Sequence, residues 1–229
     1  MEDLEKDFSE IASLFGDKPR AIMLWNLLDG RAYTSTELAT CAAISLQSAS
    51  NHLTKLLQKE ILTVAKQGRH RYYKLASPEV AQVIETMASL LAVQKDYKTI
   101  KKPKITPLTY ARTCYKHLAG EVGVKITAAL ISHHYIVQKE LDFELTDKGK
   151  TWFLKQGIAI DEVQKLKRSF AFQCLDWSER KYHLAGALGD AFLEMMLKKD
   201  WFRKNKNSRE LLLTARGKKE IQQLLNINI

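Results

Sequence analysis

Two stretches of the 229-residue chain hold most of the side chains able to do chemistry. The first is "QSASNHLTK", which supplies Gln47, Ser48, Ser50, Asn51, His52 and Lys55, followed a short distance on by Arg69, His70 and Arg71. Amide side chains pair with adenine edges and short hydroxyls reach bases or phosphates, while lysine and arginine neutralise phosphates, so this set suits a double-stranded nucleic acid. The second comprises Arg112, Cys114 and His117 in "ARTCYKHLAG" and Cys174, Trp177, Arg180 and His183 in "CLDWSERKYHLAG". Thiols and imidazoles of this kind are able to line an effector pocket or carry a redox-active thiol. The alternative reading is that they are small buried hydrophobes beside hydrogen-bonded core histidines. A phosphate-binding glycine loop, a nucleophile elbow and a His-Glu-x-x-His run are all missing, so neither an enzyme nor a cofactor is expected.

The elements that must position the first group are short. Leu4, Phe8, Ile11, Leu14 and Phe15 recur at helical spacing, and a second helix spans about 19–28. Thr34-Ser35-Thr36-Glu37 fits a capping box that opens a third helix. Ser45 caps a fourth, on which Leu46, Ala49, Leu53, Leu56 and Leu57 form an inward stripe opposite Gln47, Ser48, Asn51, His52 and Lys55. Two β-rich runs, 61–66 and 71–76, flank Gln67-Gly68-Arg69-His70, which reads as a hairpin with a basic tip. Ser77-Pro78-Glu79 then begins another helix. Four helices, a hairpin and a helix make a winged helix-turn-helix, and Cys41 reads as a small packing residue within it.

Charge follows the same division. The chain carries 36 basic and 26 acidic residues, a formal net charge of +10, which favours an anionic partner. Residues 45–76 hold six bases (Lys55, Lys59, Lys66, Arg69, Arg71, Lys74) against Glu60, whereas residues 1–20 hold six acids against three bases. The apolar runs are too short for a membrane span and the acidic start is no signal peptide, so a cytoplasmic protein without membrane contact is expected.

The lysine-rich "KDYKTIKKPKITP" reads as a boundary between a domain of residues 1–100 and another of 101–229. The second domain repeats itself. "YKHLAGEVG" at 115–123 returns as "KYHLAGALG" at 181–189, and "ELTDKGK" is matched by "LLTARGK", pairing Thr146 with Thr214 and Gly149 with Gly217. Two pseudo-symmetric repeats, at about 108–158 and 174–229, are expected, each reading helix, helix, hairpin, capped helix. In that reading Cys114 and His117 share one helix face and Arg180 and His183 another. The fold class is therefore mainly α with small β-hairpins, a winged helix-turn-helix followed by two tandem degenerate winged-helix-like repeats.

Residues 1–100, through "ELATCAAISLQSASNHLTKLLQKEILTVAKQGRHRYYKL", resemble the arsenic-repressor (ArsR/SmtB) family of winged-helix regulators. The resemblance implies a homodimer packed through the first and last helices of the domain, repressing from a near-palindromic operator until an effector releases it. The C-terminal motifs resemble an extension found in some regulators of this type. Metal sensors of the family carry Cys-x-Cys just before the third helix, where this chain has Thr34, Ser35 and Thr36. The last helix of the domain, 78–95, has no histidine, and the three cysteines are widely spaced, so no metal site is expected. Two rivals stand beside the repressor: a thiol-based or small-molecule sensor acting through the C-terminal domain, and a protein-interaction module with vestigial DNA binding.

Overall fold

The computed structural model describes residues 2–93, 105–206 and 208–229. Its contacts divide the chain into two compact units, with the division after Glu85. The boundary expected at residues 100–101, and most of the lysine-rich stretch around it, lie outside the described residues. No helix among the described residues is long and apolar enough to cross a membrane.

The first unit runs α1 (Glu2–Gly16), α2 (Lys18–Asn26), a 3-10 turn (Leu27–Asp29), β1 (Tyr33–Thr34), α3 (Ser35–Ala42), α4 (Leu46–Gln58), β2 (Leu62–Gln67), β3 (His70–Leu75) and the start of α5 (Pro78–Val93). Local chemistry sets these boundaries. Asp17 accepts a hydrogen bond from the Arg20 backbone at the start of α2, and Pro19 stands in its first turn, where no backbone N–H is needed. Thr34 and Glu37 close the capping box of α3 in both directions. Ala43 turns the chain at φ 53, and Ser45 then caps α4 by accepting from the Ser48 backbone N–H. Met23, Leu24, Leu27, Leu28, Leu38, Leu53 and Leu56, each no more than 2% exposed, meet in the core. Each such side chain contributes about 1.5–3 kcal/mol when removed from water.

Two expectations change here. Leu46 is 53% exposed, so the inward stripe of α4 begins at Ala49, a turn further in. Cys41 is exposed, not packed: the buried face of α3 is Leu38, Ala39 and Ala42, and position 41 falls outside it.

The second unit contains α6 (Pro107–Tyr110), β4 (Arg112–Cys114), β5 (His117–Ala119), α7 (Gly120–Ser132), β6 (Ile136–Lys139), β7 (Asp142–Leu145), α8 (Asp147–Gln156) and α9 (Ile160–Gln164). It continues with β8 (Phe172–Leu175), β9 (Tyr182–Ala185), α10 (Gly186–Lys198), β10 (Phe202–Lys204), β11 (Leu211–Leu213) and α11 (Ala215–Leu225). The order hairpin, helix, hairpin, helix thus occurs twice. β6, β7, β8 and β9 form one four-stranded sheet, and β4–β5 and β10–β11 form two-stranded ones.

The first element of each half is therefore a hairpin where a helix was expected. Cys114 and His117 are directly opposed across β4 and β5, so they share no helix face, and Cys174 and His183 are likewise opposed across β8 and β9. Tyr115 and Arg180 adopt φ 56, which turns the chain between strands, and Arg180 lies before β9, not on an element with His183. Three-residue strands carry too little alternation to be told from helix by periodicity.

The two halves agree in detail at their second hairpins. Thr146 donates to the carbonyls of His134 and Tyr135, and Thr214 to those of Asp200 and Trp201, at 2.7 and 3.2 Å in both cases. Each threonine also accepts from a glycine N–H three residues on, Gly149 or Gly217, at 2.9 Å. These glycines are required by contact: a Cβ would stand 1.8 Å from the Tyr135 oxygen at position 149 and 2.1 Å from the Trp201 oxygen at 217. Backbone would have to shift to admit it. Gly217→Ala should therefore destabilise the protein by about 1–3 kcal/mol, read as a lowered urea midpoint at unchanged slope.

Candidate nucleic-acid interface and a buried cysteine–histidine cluster

α4 presents its polar residues outward because Ala49, Leu53 and Leu56 hold the opposite side in the core. Gln47, Ser50, Asn51 and Lys55 are exposed and Ser48 is half-buried. The Gln47 amide approaches Asn51 Oδ1 at 3.5 Å, one turn along the same face. His52 departs from this set. Its Nδ1 lies 3.6 Å from Asp17 Oδ1 and 3.4 Å from an Arg20 guanidinium nitrogen, so it is drawn toward the start of α2 instead of standing out with Asn51. Arg20 is itself buried and donates to the carbonyls of Ser13 and Leu14, which makes the group a tie between α1, α2 and α4.

The hairpin β2–β3 pairs in register from Leu62↔Leu75 to Gln67↔His70, leaving Gly68 and Arg69 as a two-residue turn with Gly68 at φ 57. Arg69, His70 and Arg71 are exposed at its tip. β1 adds a third strand beside β3, with Tyr33 opposite Tyr73, and braces the hairpin against the unit. Lys55, Arg69 and Arg71 make no ion pair among the described residues. Lys59 is different, for it pairs with Glu10, and that pairing lowers the pKa of the carboxyl and raises that of the lysine.

The seven C-terminal candidates converge as well, although sequence separations of about sixty residues lie between them. Arg112 is fully buried and donates to Asp176 at 3.1 Å and to the Ser178 hydroxyl at 3.3 Å, while its guanidinium carbon stacks 4.6 Å above the Trp177 ring. Asp176 also accepts from the backbone N–H of Gly120 at 2.7 Å and from both the N–H and hydroxyl of Ser178. Burial alone would raise the Asp176 carboxyl, but Arg112, His183, Ser178 and Gly120 outweigh it and hold the group well below the usual carboxylate range. Arg180 stands on the same loop, half-buried.

Behind this pair sit the thiols and imidazoles. The Sγ atoms of Cys114 and Cys174 are 3.9 Å apart, and His183 Nε2 lies 3.1 Å from His117 Nδ1. One donor atom from each of the four residues falls within 4.8 Å of all the others. Sequence spacing had argued against any metal site, but the two hairpins remove that spacing by bringing four soft donors together. A cavity of about 560 Å³ elsewhere in this unit is lined by Arg168, Asp190, Lys204 and Arg209 among others, and by none of the seven candidates. Asp176 and Ser178 are central residues that the sequence reading passed over. Their signal was an acid set between Cys174 and Trp177, with a lone arginine sixty-four positions earlier to match it.

Breaking a buried ion pair strands a charge in a low-dielectric interior. Arg112→Met should therefore lower stability by about 3–5 kcal/mol in urea denaturation, far more than replacing an exposed arginine such as Arg71.

No protein-family model matches the chain. Over 227 residues it is 40% identical to the uncharacterized HTH-type transcriptional regulator YdfF of Bacillus subtilis (strain 168), covering 99% of this chain and all of that protein. Solved structures that resemble part of the fold include a homodimeric winged helix-turn-helix DNA-binding domain from Mycobacterium bovis, at 19% identity and TM-score 0.37, covering 42% of this chain and 92% of that one. HlyU from Vibrio cholerae is 26% identical at TM-score 0.36, covering 39% of this chain and 97% of its own. A helix-turn-helix with an outward polar helix and a basic hairpin, together with a relative aligned end to end, establishes that the chain belongs to the HTH-type transcriptional regulators.

Proposed function

We propose that the protein is a homodimeric, ArsR-type winged-helix repressor that binds a palindromic DNA operator in the cytoplasm. The observation that carries this reading is the exposed polar face of α4 standing in the same unit as the basic tip of β2–β3. Gln47 and Asn51 read base edges from the major groove, with Ser48 and Ser50 beside them at bases or backbone. Lys55 and Arg71 meet phosphates, and Arg69 and His70 reach the adjacent backbone or minor groove. His52 acts mainly by holding α4 against α2, in line with its contacts to Asp17 and Arg20.

Dimerisation is supported by two uncovered apolar rows. Leu4, Phe8 and Ile11 on α1 are 74%, 72% and 44% exposed, and Val83, Met87 and Leu90 on α5 are 45%, 44% and 61% exposed. Rows of this kind at i, i+4 and i+7 mark helices that pack on a partner. A two-fold dimer places its two recognition helices about 34–36 Å apart, in successive major grooves. The C-terminal unit is a duplicated pair of winged-helix-like repeats, consistent with the twice-used order of hairpin, helix, hairpin, helix, and it supports effector control. The sensor reading draws on one specific feature, the closeness of Cys114 to Cys174.

Operator fragments selected by the purified protein from a random DNA pool supply the test ligand. Asn51→Ala should weaken binding by about 1–3 kcal/mol and relax preference at one base position, whereas Arg69→Ala should weaken all sequences alike and reduce the salt slope by about one. If both variants bind the selected DNA as tightly as the wild type, the proposed surface is wrong. Phe8→Glu should shift the protein toward monomer in sedimentation equilibrium and weaken operator binding with it. A stable dimer in that variant would place the interface elsewhere.

A further inference from the structure

We infer that Cys114, His117, Cys174 and His183 form a tetrahedral site for a zinc-class divalent cation, built jointly by the two halves of the C-terminal unit. Each hairpin contributes one thiol and one imidazole from directly opposed residues, Cys114↔His117 on β4–β5 and Cys174↔His183 on β8–β9. Directly opposed residues carry their side chains on one face of the hairpin, which lets a cysteine and a histidine address the same point.

The distances suit one ion. Two thiolate sulfurs each about 2.3 Å from a tetrahedral zinc stand about 3.8 Å apart, and two imidazole nitrogens at about 2.0–2.1 Å stand about 3.3 Å apart. The sulfurs here are 3.9 Å apart and the facing nitrogens 3.1 Å apart, with all four donor atoms inside 4.8 Å. Two sulfurs and two nitrogens select zinc and its tetrahedral mimics over hard oxygen-seeking ions such as magnesium or calcium.

The surroundings fit the same assignment. Metal-bound histidines usually present their second ring nitrogen to a carboxylate that orients the ring. His183 is placed for this: Nε2 faces the cluster, while Nδ1, without a hydrogen-bond partner, lies 3.6 Å from Asp176 Oδ2. Charge balances as well. On uptake the two thiols release their protons, two thiolates neutralise the dication, and Asp176 remains neutralised by Arg112. A buried site can accept that net-neutral arrangement where it would reject a bare cation. Cys114, His117 and His183 are at most 3% exposed and all four coordination positions are filled by protein, so the ion would act as a clamp between the hairpins with no open position for substrate.

Cobalt(II) is the probe, because it takes the same tetrahedral donors and reports them by absorbance. The reduced full-length chain, without DNA, should bind one cobalt per chain with visible ligand-field bands and thiolate-to-cobalt charge transfer, and one equivalent of zinc should abolish both. Cys41→Ser should leave the spectrum unchanged, and Cys114→Ser with Cys174→Ser should remove it. X-ray absorption of the zinc-loaded wild type provides a reading that needs no variant: two sulfur and two nitrogen neighbours are expected. A reduced wild type that takes up no cobalt, a bound ion with oxygen neighbours and no sulfur, or a spectrum that survives in the double serine variant would each overturn the site. Because DNA is left out, the outcome is independent of operator binding, and each reading can fail without the other.

Discussion

The buried ion pair between Arg112 and Asp176 is the contact on which the C-terminal unit depends. It joins β4, at the start of one half, to the loop between β8 and β9, at the start of the other. Asp176 fixes the first backbone N–H of α7 and the turn through Ser178 and Glu179, and Arg112 meets that same turn by its ion pair and by stacking on the Trp177 ring. A carboxylate at a helix N-terminus is favoured by the helix dipole, so the same oxygen serves the ion pair and the helix start. Burying both charges costs solvation, which is recovered only if the remaining hydrogen bonds are satisfied. The several donors around Asp176 meet that condition. Their strict geometry also sets the spacing of the two hairpins, and with it the approach of two cysteines and two histidines.

The N-terminal unit works by a different principle. Its interior is almost wholly apolar, and the polar residues of α4 and the tip of β2–β3 face solvent. Helix starts are capped by Asp17, Thr34 and Ser45, which places the polar face of α4 outside without any buried polar network beneath it. The exception is the tie of His52, Asp17 and Arg20, which spends one candidate reading residue on positioning the helix. Exposed side chains on a rigid helix are well suited to recognition, since packing has already fixed the backbone from which they project.

Much of the first unit was legible in order. Caps are local, and the stripe of Ala49, Leu53 and Leu56 follows from helical period, so α3, α4 and the wing could be placed from residues a few positions apart. Errors came where two patterns compete over short spans. Leu46 satisfies the period yet stays exposed, and Cys41 looks small enough to pack yet faces water. In the second unit the matched motifs are plain in the sequence, but three-residue strands such as 112–114 give periodicity nothing to measure, so hairpins stand where helical spacing is expected.

The sequence by itself determined the helix-turn-helix, the basic hairpin and the outward polar face, since each depends on neighbours within a turn or a hairpin. Tertiary structure alone decided the rest. It turned His52 inward, paired Arg112 with Asp176 across sixty-four positions, and set Cys114 and His117 against Cys174 and His183. The reason is physical: a buried charge or thiol chooses its partner by the geometry of closure, and nothing in the residues between the partners records that choice.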